Sequence, residues 1–198
     1  MGPLSPRRRQ DRVRDVSADR PSVSLRPFRL EDAAAVHRWF SNPQATQTLM
    51  EQRDEFTPEQ AQAWTRRAMD DSGEDRKFAI VVEGHAEPVG FTALYGLFRQ
   101  TAPELGALIG DDVRGKGVGR RAEALTIAKA FDEYRAHRVY GRIPARNEVA
   151  KKTVAGLGWK HEGTMRAHLA RREGPPEDCE VWGVLPDEFR AAAAALLR

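Results

Sequence analysis

The chain has 198 residues, of which 40% are hydrophobic and 31% are charged, and it contains one cysteine. This length suits one domain with a substantial core, and a single cysteine excludes an intramolecular disulfide and a cysteine metal cage. No apolar run approaches the roughly 20 residues of a membrane span, and the N-terminal arginines precede no secretory apolar segment, so we expect a cytoplasmic protein without a membrane partner.

The first twenty residues carry the whole excess of positive charge. They hold six arginines and three aspartates, which accounts for the net charge of +3 of the entire chain. This composition predicts a disordered basic tail over residues 1–21 and one domain over residues 22–198. A basic arm can also contact nucleic acid or the ribosome, and that alternative stays open for the tail alone.

Apolar periodicity and turn residues predict an alternation of strands and helices. Strands come first as a hairpin and then alternate with helices, which predicts a single α+β domain with a mixed sheet. The predicted order is strand 22–26, helix 31–40, a helix from Thr57, strands 77–83, 88–95 and 104–109, helix 118–134, strand 138–143, helix 147–157, strands 159–163 and 178–185, and a short alanine-rich helix.

Two of the helices carry recognisable boundary residues. Thr57 is expected to cap the second helix, with Pro58 in its first position and Gln60 completing a capping box. Asn147 is expected to cap a later helix that Gly158 ends. Apolar stripes indicate the faces that point to the core: Ala61, Trp64, Ala68 and Met69 in the second helix, and Ala122, Leu125, Ala128 and Phe131 in the helix over 118–134.

Residues 113–121 place Gly115, Gly117 and Gly119 between a predicted strand and a predicted helix. Such glycines let the backbone approach a ligand, and the first turn of a helix offers unsatisfied amides at the positive end of its dipole. A phosphate or pyrophosphate is the usual guest of this arrangement. The segment matches neither a nucleoside-triphosphate P-loop nor a dinucleotide fingerprint. A tight turn without a ligand is the alternative.

Four segments, in order along the chain, resemble the GNAT superfamily of acyl-CoA N-acyltransferases. Residues 114–119 (RGKGVG) fit its Arg/Gln-x-x-Gly-x-Gly/Ala motif, and residues 147–159 (NEVAKKTVAGLGW) resemble its Asn-led helix that ends in Leu-Gly-Phe. Residues 162–166 (EGTMR) resemble the Glu-Gly-x-x-Arg that follows, and residues 104–110 (ELGALIG) resemble the central strand. The chain looks most like the branch of ribosomal-protein alanine acetyltransferases (RimJ/RimL-like), with polyamine and amino-sugar acetyltransferases beside it.

This resemblance implies a single GNAT-like domain, with a mixed, mostly antiparallel central sheet flanked by helices, and acetyl-CoA as co-substrate. In the family, the pyrophosphate lies on the amides of the glycine loop, and the pantetheine arm lies beside the central strand where its pairing is splayed. The asparagine contacts the cofactor in the family, although here it could serve as a helix cap alone. The implied cofactor-binding residues are Leu108, Ile109, Arg114, Gly115, Lys116, Gly117, Val118, Gly119, Arg120 and Asn147.

Acetyl transfer needs a neutral amine, so a base must remove a proton as the amine attacks the thioester. Glu104 stands where relatives often place a carboxylate, and it is the expected catalytic residue, as base or acceptor ligand; a purely structural role is the alternative. The backbone N–H near Ile109 would polarise the thioester carbonyl. Val154 occupies the position of the tyrosine that many members use as general acid, and valine cannot donate a proton. His168 and Tyr140 are alternatives for that role.

The expected acceptor is a primary amine, either a protein N-terminus or a small molecule. Trp39, Phe40 and Trp64 lie in the two helices that flank the acceptor cleft in the family, although a packed core is the commoner role of such residues. Acidic side chains between these helices would either attract an amine or form a solvated loop: Glu51, Asp54 and Glu55.

Three further questions stay open at this point. A non-catalytic acyl-CoA-binding or ribosome-associated module is the alternative function, because Val154 replaces the tyrosine and the tail is basic. The protein is a monomer or a homodimer. No pair of histidines has the spacing of metal ligands, so no metal is expected.

Overall fold

The computed structural model describes residues 21–46, 56–97, 102–171 and 174–197 of the chain. The predicted basic tail, apart from Pro21, and the acidic Glu51, Asp54 and Glu55 lie outside these residues. The helices and strands are β1 (Val23–Arg26), α1 (Ala33–Ser41), α2 (Pro43–Thr46), α3 (Pro58–Ala68), β2 (Arg76–Val82), β3 (Gly90–Tyr95), β4 (Glu104–Ile109), α4 (Val118–Asp132), β5 (Val139–Pro144), α5 (Glu148–Ala155), β6 (Lys160–Leu169), β7 (Glu177–Val184) and α6 (Pro186–Ala193).

The seven strands form one sheet in the order β1-β2-β3-β4-β5-β7-β6. Neighbouring strands are antiparallel, except that β4 and β5 run parallel. Helices cover both faces of this sheet. The predicted α+β class, with a mixed and mostly antiparallel sheet flanked by helices, is confirmed.

The pairing of β4 with its two neighbours is unequal. β4 pairs with β3 along six residues, from Glu104 to Ile109. Its register with β5 contains one position, where Glu104 faces Tyr140. Beyond that position the two parallel strands separate, which opens a wedge in the middle of the sheet.

The two faces of β3 pack against different helices because side chains alternate along a strand. Phe91 and Ala93 belong to a cluster of buried residues with α1 and α3. Leu94 points the other way and joins a cluster with α4, α5 and α6. Helices α1 and α3 therefore lie on one face of the wedge, and α4 and α5 lie on the other.

Two predictions about helix faces need correction. Met69 is 44% exposed, because α3 ends at Ala68 and Met69 is its C-cap. In α4 the predicted stripe is too narrow: Leu125 and Ala128 are half-buried, whereas the fully buried set extends further around the helix, because α4 packs on the sheet and also on α5 and α6. The buried residues of α4 are Val118, Ala122, Ala124, Thr126, Ile127, Ala130 and Phe131.

Strand β6 is longer than predicted and contains an irregularity between Met165 and Leu169. Within it Ala167 adopts a left-handed conformation with φ 50°. The amide of Ala167 donates to Asp178 Oδ1 at 2.7 Å, so the carboxylate satisfies a backbone group that the ladder leaves unpaired. Asp178 thereby holds the irregular end of β6 against β7.

Candidate active site between the central strands

The wedge between β4 and β5 opens into a cleft of about 1190 Å³. Helices α1 and α3 contribute Phe40 and Trp64 to one wall. The opposite wall comes from α4 and α5, through Glu123, Asn147 and Val154. The walls of the cleft therefore come from helices on opposite faces of the sheet.

The backbone of β4 presents alternate residues to the cleft. The Leu108 carbonyl faces β3, since a Cβ added to Gly90 would collide with that oxygen. The Ile109 carbonyl faces away from β3 and accepts a hydrogen bond from Arg114 Nε at 3.3 Å. Because strand residues alternate in this way, the amides of Ile109 and Ala107 point toward the separated β5. Of the two β4 residues predicted to bind the cofactor, Ile109 directs its backbone toward β5, as Ala107 does, and Leu108 directs its backbone toward β3.

The glycine loop joins β4 to α4 with a backbone that favours glycine. Gly115 and Gly117 have φ of 74° and 79°, in the left-handed region that side chains disfavour. Gly119 lies against β4, where an added Cβ would be 3.1 Å from Ile109 Cγ1. Val118 is buried and anchors the helix start in the core. The loop brings α4 close to β4 and leaves its outer side open.

The N-terminus of α4 offers donors for an anion. Gly117 is the N-cap and has no side chain to cap the helix. The amide of Arg121 is the first to bond within the helix, to the Gly117 carbonyl. The amides of Val118, Gly119 and Arg120 precede it and have no helical acceptor. This end of α4 therefore has the donor set and dipole direction that phosphate groups require.

The cationic side chains of the loop differ in their partners. Arg114 pairs with Asp111 at 2.7 Å, which offsets its charge. Lys116 Nζ donates to the Asp112 carbonyl at 2.9 Å, and Arg120 donates to the Gly156 carbonyl at 2.7 Å. Because carbonyl partners leave a positive charge uncompensated, Lys116 and Arg120 supply more field for an anion than Arg114 does.

Asn147 sits where α5 begins and also lines the cleft. Its Oδ1 accepts a hydrogen bond from the Ala150 amide at 3.1 Å, as the N-cap prediction requires. The side-chain nitrogen can donate to a second group. The capping role is confirmed, and the position permits the cofactor contact as well.

Glu104 and Arg142 form the charged pair at the point where the wedge begins. Arg142 donates to Glu104 Oε1 from Nε and to Oε2 from Nη2, both at 2.9 Å. Tyr140 donates its hydroxyl to Oε2 at 3.4 Å. The hydrogen bonds to Glu104 raise the pKa of Arg142, while burial and the Glu104 charge raise the pKa of Tyr140. The raised pKa makes Tyr140 a poor proton donor, so it suits the role of positioning Glu104.

Glu123 is a cleft residue that the sequence reasoning missed. Its Oε2 is buried and accepts no hydrogen bond from the described residues. Burial raises the pKa of Glu123 to about 7. The indole N–H of Trp159, in the same cleft, also lacks an acceptor there. The signal in the sequence was a charged residue between Ala122 and Ala124, inside the apolar run of α4.

The wall of the cleft beside α1 and α3 is aromatic. Phe40, Trp64 and Phe91 pack together with ring centroids 5.0–6.0 Å apart. All three line the cleft, although Trp64 is only 8% exposed. Trp39 is buried in the same cluster and does not belong to the lining. Phe40 and Trp64 therefore belong both to the packed core and to the lining of the cleft.

The charges that line the described part of the cleft balance, with three acidic and three basic side chains. Lys77 lies 3.3 Å from Asp75, and Glu104 is paired with Arg142. Glu123 forms no ion pair with the described residues. The wall of the cleft is therefore amphipathic and nearly neutral, not a concentrated acidic surface.

The other predicted residues fall in different places. Val154 lines the cleft at 5% exposure, on the side of α5 that faces α4. His168 lines the far rim and is exposed. Cys179 is fully buried in β7, and burial raises the pKa of its thiol. In the ranges that the structure describes, no three His, Cys, Asp or Glu side chains converge as metal ligands would.

The helices of the described residues are also too short or too polar for a membrane span.

Known proteins resemble this chain in sequence and in fold. The family model of the acetyltransferase (GNAT) domain matches residues 22–160, which is more than half of the chain. The spermidine N(1)-acetyltransferase of Escherichia coli K12 is 28% identical over 145 residues, covering 73% of this chain and 76% of that enzyme.

Solved structures share the fold at lower identity. Spermidine N-acetyltransferase from Vibrio cholerae, in complex with CoA and spermine, superposes with a TM-score of 0.75 at 16% identity, covering 84% of this chain and 97% of that one. The ribosomal-protein-S5-alanine acetyltransferase from Vibrio fischeri gives a TM-score of 0.73 at 23% identity, covering 84% of this chain and 94% of that one.

Proposed function

Since the chain belongs to the GNAT acetyltransferase family, we propose that it transfers the acetyl group of acetyl-CoA to the α-amine of a peptide or protein N-terminus. Family membership makes the protein an acyltransferase that uses acetyl-CoA and acts on an amine. The kind of acceptor and the roles of individual residues are our proposal. It places the chain in the RimJ/RimL-like branch, with residues 22–198 as the catalytic domain and residues 1–21 outside it.

The charge balance of the cleft carries the choice of acceptor. A polyamine bears several positive charges, and a site for it needs several uncompensated carboxylates. Here Asp75 and Glu104 each have a cationic partner, and Glu123 is the single described carboxylate of the lining without one. A peptide N-terminus brings one positive charge and an adjoining apolar chain, which suits the aromatic wall of Phe40 and Trp64.

We propose that the glycine loop and the separated strand hold acetyl-CoA. The amides of Gly115 and of Gly117 to Arg120 would bind the pyrophosphate, with added charge from the side chains of Arg114, Lys116 and Arg120. The Lys116 amide already donates to the Val113 carbonyl. The open edge of β4 at Ala107 and Ile109 would pair with the pantetheine arm of the cofactor. Leu108 would keep that edge in place through its backbone hydrogen bonds to β3. Asn147 would donate its side-chain amide to the arm. The wedge is the feature that supports this assignment, because an arm resembling a strand needs an unpaired strand beside it.

We propose that Glu104 is the catalytic carboxylate. Arg142 fixes the carboxylate in a bidentate pair, and Tyr140 bonds to Oε2 as well. Oε1 therefore keeps a lone pair for the incoming amine or for a water that relays its proton. The amide of Ile109 would polarise the acetyl carbonyl as negative charge develops on its oxygen. The acetyl group would pass directly from acetyl-CoA to the amine within one complex. Positioning and carbonyl polarisation would then supply most of the rate enhancement.

The acceptor is tested with a panel of amines at saturating acetyl-CoA. Peptides with small N-terminal residues such as alanine, spermidine and an amino sugar are compared by kcat/KM, with free CoA measured as product. We expect the peptides to exceed spermidine by about tenfold or more, which corresponds to about 1.4 kcal/mol of transition-state binding. Preference for spermidine by the same margin would overturn the choice of a peptide acceptor and favour the polyamine acetyltransferases.

A further inference from the structure

We infer that Glu123 is the general acid that protonates the departing CoA thiolate, in place of the tyrosine that Val154 replaces. The inference rests on the proposed acetyl transfer. It assigns a catalytic residue on α4, a helix that otherwise contributes its N-terminus to the cofactor site. Four observations lead to it: the shared cleft, the facing helices, the unpartnered carboxyl oxygen, and the absence of a proton donor at residue 154.

Helix α4 presents Glu123 to α5. Arg120 and Glu123 are three residues apart and therefore lie on one side of the helix. The Arg120 guanidinium bonds to the carbonyl of Gly156, two residues after Val154. Glu123 and Val154 both line the cleft. Glu123 therefore shares the cleft with position 154, where the tyrosine would stand.

Glu123 has the features of a group kept for proton transfer. A structural glutamate in such a site would be paired with a cation or bonded to amides, since an unpaired buried carboxylate is costly. Its Oε2 is buried and has no hydrogen-bond partner among the described residues, and Glu123 is one of the residues that line the cleft. Desolvation favours the neutral acid and raises the pKa of Glu123 to about 7. The carboxylic acid is therefore substantially populated at neutral pH and can donate a proton there.

The transfer step forms one bond and breaks one bond at the acetyl carbon. The amine nitrogen forms a bond to the acetyl carbon, the C–S bond breaks, and its electron pair leaves on sulfur. The Glu123 O–H proton moves to that sulfur and yields the CoA thiol and the Glu123 carboxylate. The proton that the amine loses passes to Glu104 or its water, and Glu123 regains a proton from solvent before the next turnover.

Other ionisable groups in the cleft are accounted for. Lys77 with Asp75, Glu104 with Arg142, and Arg171 with Glu177 form ion pairs, at 3.3, 2.9 and 3.2 Å. Tyr95 lies 5.4 Å below the Lys77 ammonium, measured to its ring centroid. His168 is exposed at the rim and is the competing acid, so the test includes its variant.

The kinetic test compares E123Q, H168Q and E133Q with the wild type, at saturating acetyl-CoA and the best acceptor of the panel. Glu133 is the matched control, a surface glutamate at the end of the same helix. We expect E123Q to lose about 10²-fold or more in kcat, with KM for acetyl-CoA changed less than about threefold. The wild-type kcat should fall as pH rises through about 7, because the protonated form of Glu123 disappears. This fall is the alkaline limb of the pH profile, and E123Q should lack it.

Three kinetic outcomes would overturn the inference: a raised KM with unchanged kcat in E123Q, an unchanged alkaline limb in E123Q, or loss of that limb in H168Q alone. The first would mean that Glu123 binds the pantetheine arm. The last would assign the acid to His168.

An infrared measurement tests the protonation of Glu123 without turnover. The difference spectrum between the wild type and E123Q, both saturated with acetyl-CoA, isolates the carboxyl bands of Glu123. A protonated carboxyl band that disappears as pH rises through about 7 supports the inference. Carboxylate bands alone at pH 6 would contradict it. Failure of the wild type to acetylate any amine would refute the proposed function, and the protonation of Glu123 would still be decided here.

Discussion

Gly117 links backbone conformation to cofactor binding at a single residue. Its φ of 79° starts α4 and aims the first amides of the helix outward. Gly117→Ala adds a Cβ that meets no atom within 4 Å, so its effect is purely conformational. The left-handed strain should cost about 1–2 kcal/mol, which the loop can relieve only by turning its amides away. We predict acetyl-CoA binding about tenfold weaker or worse, measured by calorimetry.

Gly84→Ala is the matched control for that substitution. Gly84 has φ of 83°, an equally open surrounding and a place in the turn between β2 and β3. It should show the same loss of stability and unchanged affinity for acetyl-CoA. Equal affinities in both variants would argue that the loop does not hold the cofactor.

Glu104 can be tested apart from the ion pair that it forms. Glu104→Gln keeps the shape of the side chain and removes its charge. If Glu104 is the base, kcat should fall about 10²–10⁴-fold while acetyl-CoA still binds. Glu162→Gln makes the same change in a second pair, with Arg138 at 2.6 Å, outside the cleft. Parallel losses of kcat in both variants would assign Glu104 a structural role only.

Among the helices and strands, α5 combines a structural cap with the proposed cofactor contact. Asn147→Ala removes the hydrogen bond to the Ala150 amide, and we predict a loss of about 1 kcal/mol in unfolding free energy. Thr57→Ala removes the equivalent cap of α3, where Gln60 N donates to Oγ1 at 3.3 Å. Both variants should unfold at a lower urea concentration than the wild type, but only Asn147→Ala should weaken acetyl-CoA binding. Unchanged affinity in Asn147→Ala would leave capping as its sole function.

Local chemistry explains which parts of the fold were predictable. The start of α3 follows from Thr57 and Gln60, which bond reciprocally within four residues. The end of the α5 region follows from Gly158, whose φ is 87°. In contrast, the wide buried face of α4 depends on α5 and α6, which come later in the chain. The irregularity in β6 depends on Asp178 in a neighbouring strand.

The candidate site divides in the same way. The glycine loop and Asn147 could be proposed from the sequence because their chemistry lies in short contiguous segments. Arg142 was missed, since its pairing with Glu104 joins residues 38 positions apart. Glu123 was missed because its one local signal, a charge between Ala122 and Ala124, does not show whether the carboxyl group is buried or solvated.

For the whole molecule, Asp32 ties β1 to the first helical turn. Burial alone would raise its pKa, but the hydrogen bonds from the Arg26 guanidinium at 2.7 and 2.8 Å and from the Arg29 amide outweigh this and lower it. A lowered folded pKa means that Asp32 stabilises the fold above its ordinary pKa and stops doing so as pH falls through the folded value. Acidification should therefore destabilise the wild type.

Asp32→Asn tests this contribution by urea unfolding between neutral pH and about pH 2. We predict a loss of about 1–3 kcal/mol at neutral pH, because Arg26 loses its charged partner, and convergence with the wild type at the acid end. Glu31→Gln, which removes an exposed carboxylate, should change stability by less than about 0.5 kcal/mol. A constant difference across the whole pH range would contradict the account of Asp32.

Isothermal titration of the intact protein with acetyl-CoA tests the central claim, that the glycine loop and the separated strands form an acetyl-CoA site. We predict saturable binding at one molecule per chain, with a dissociation constant between about 1 μM and 1 mM, the range of enzyme–substrate affinities. Absence of binding at millimolar acetyl-CoA would contradict the claim.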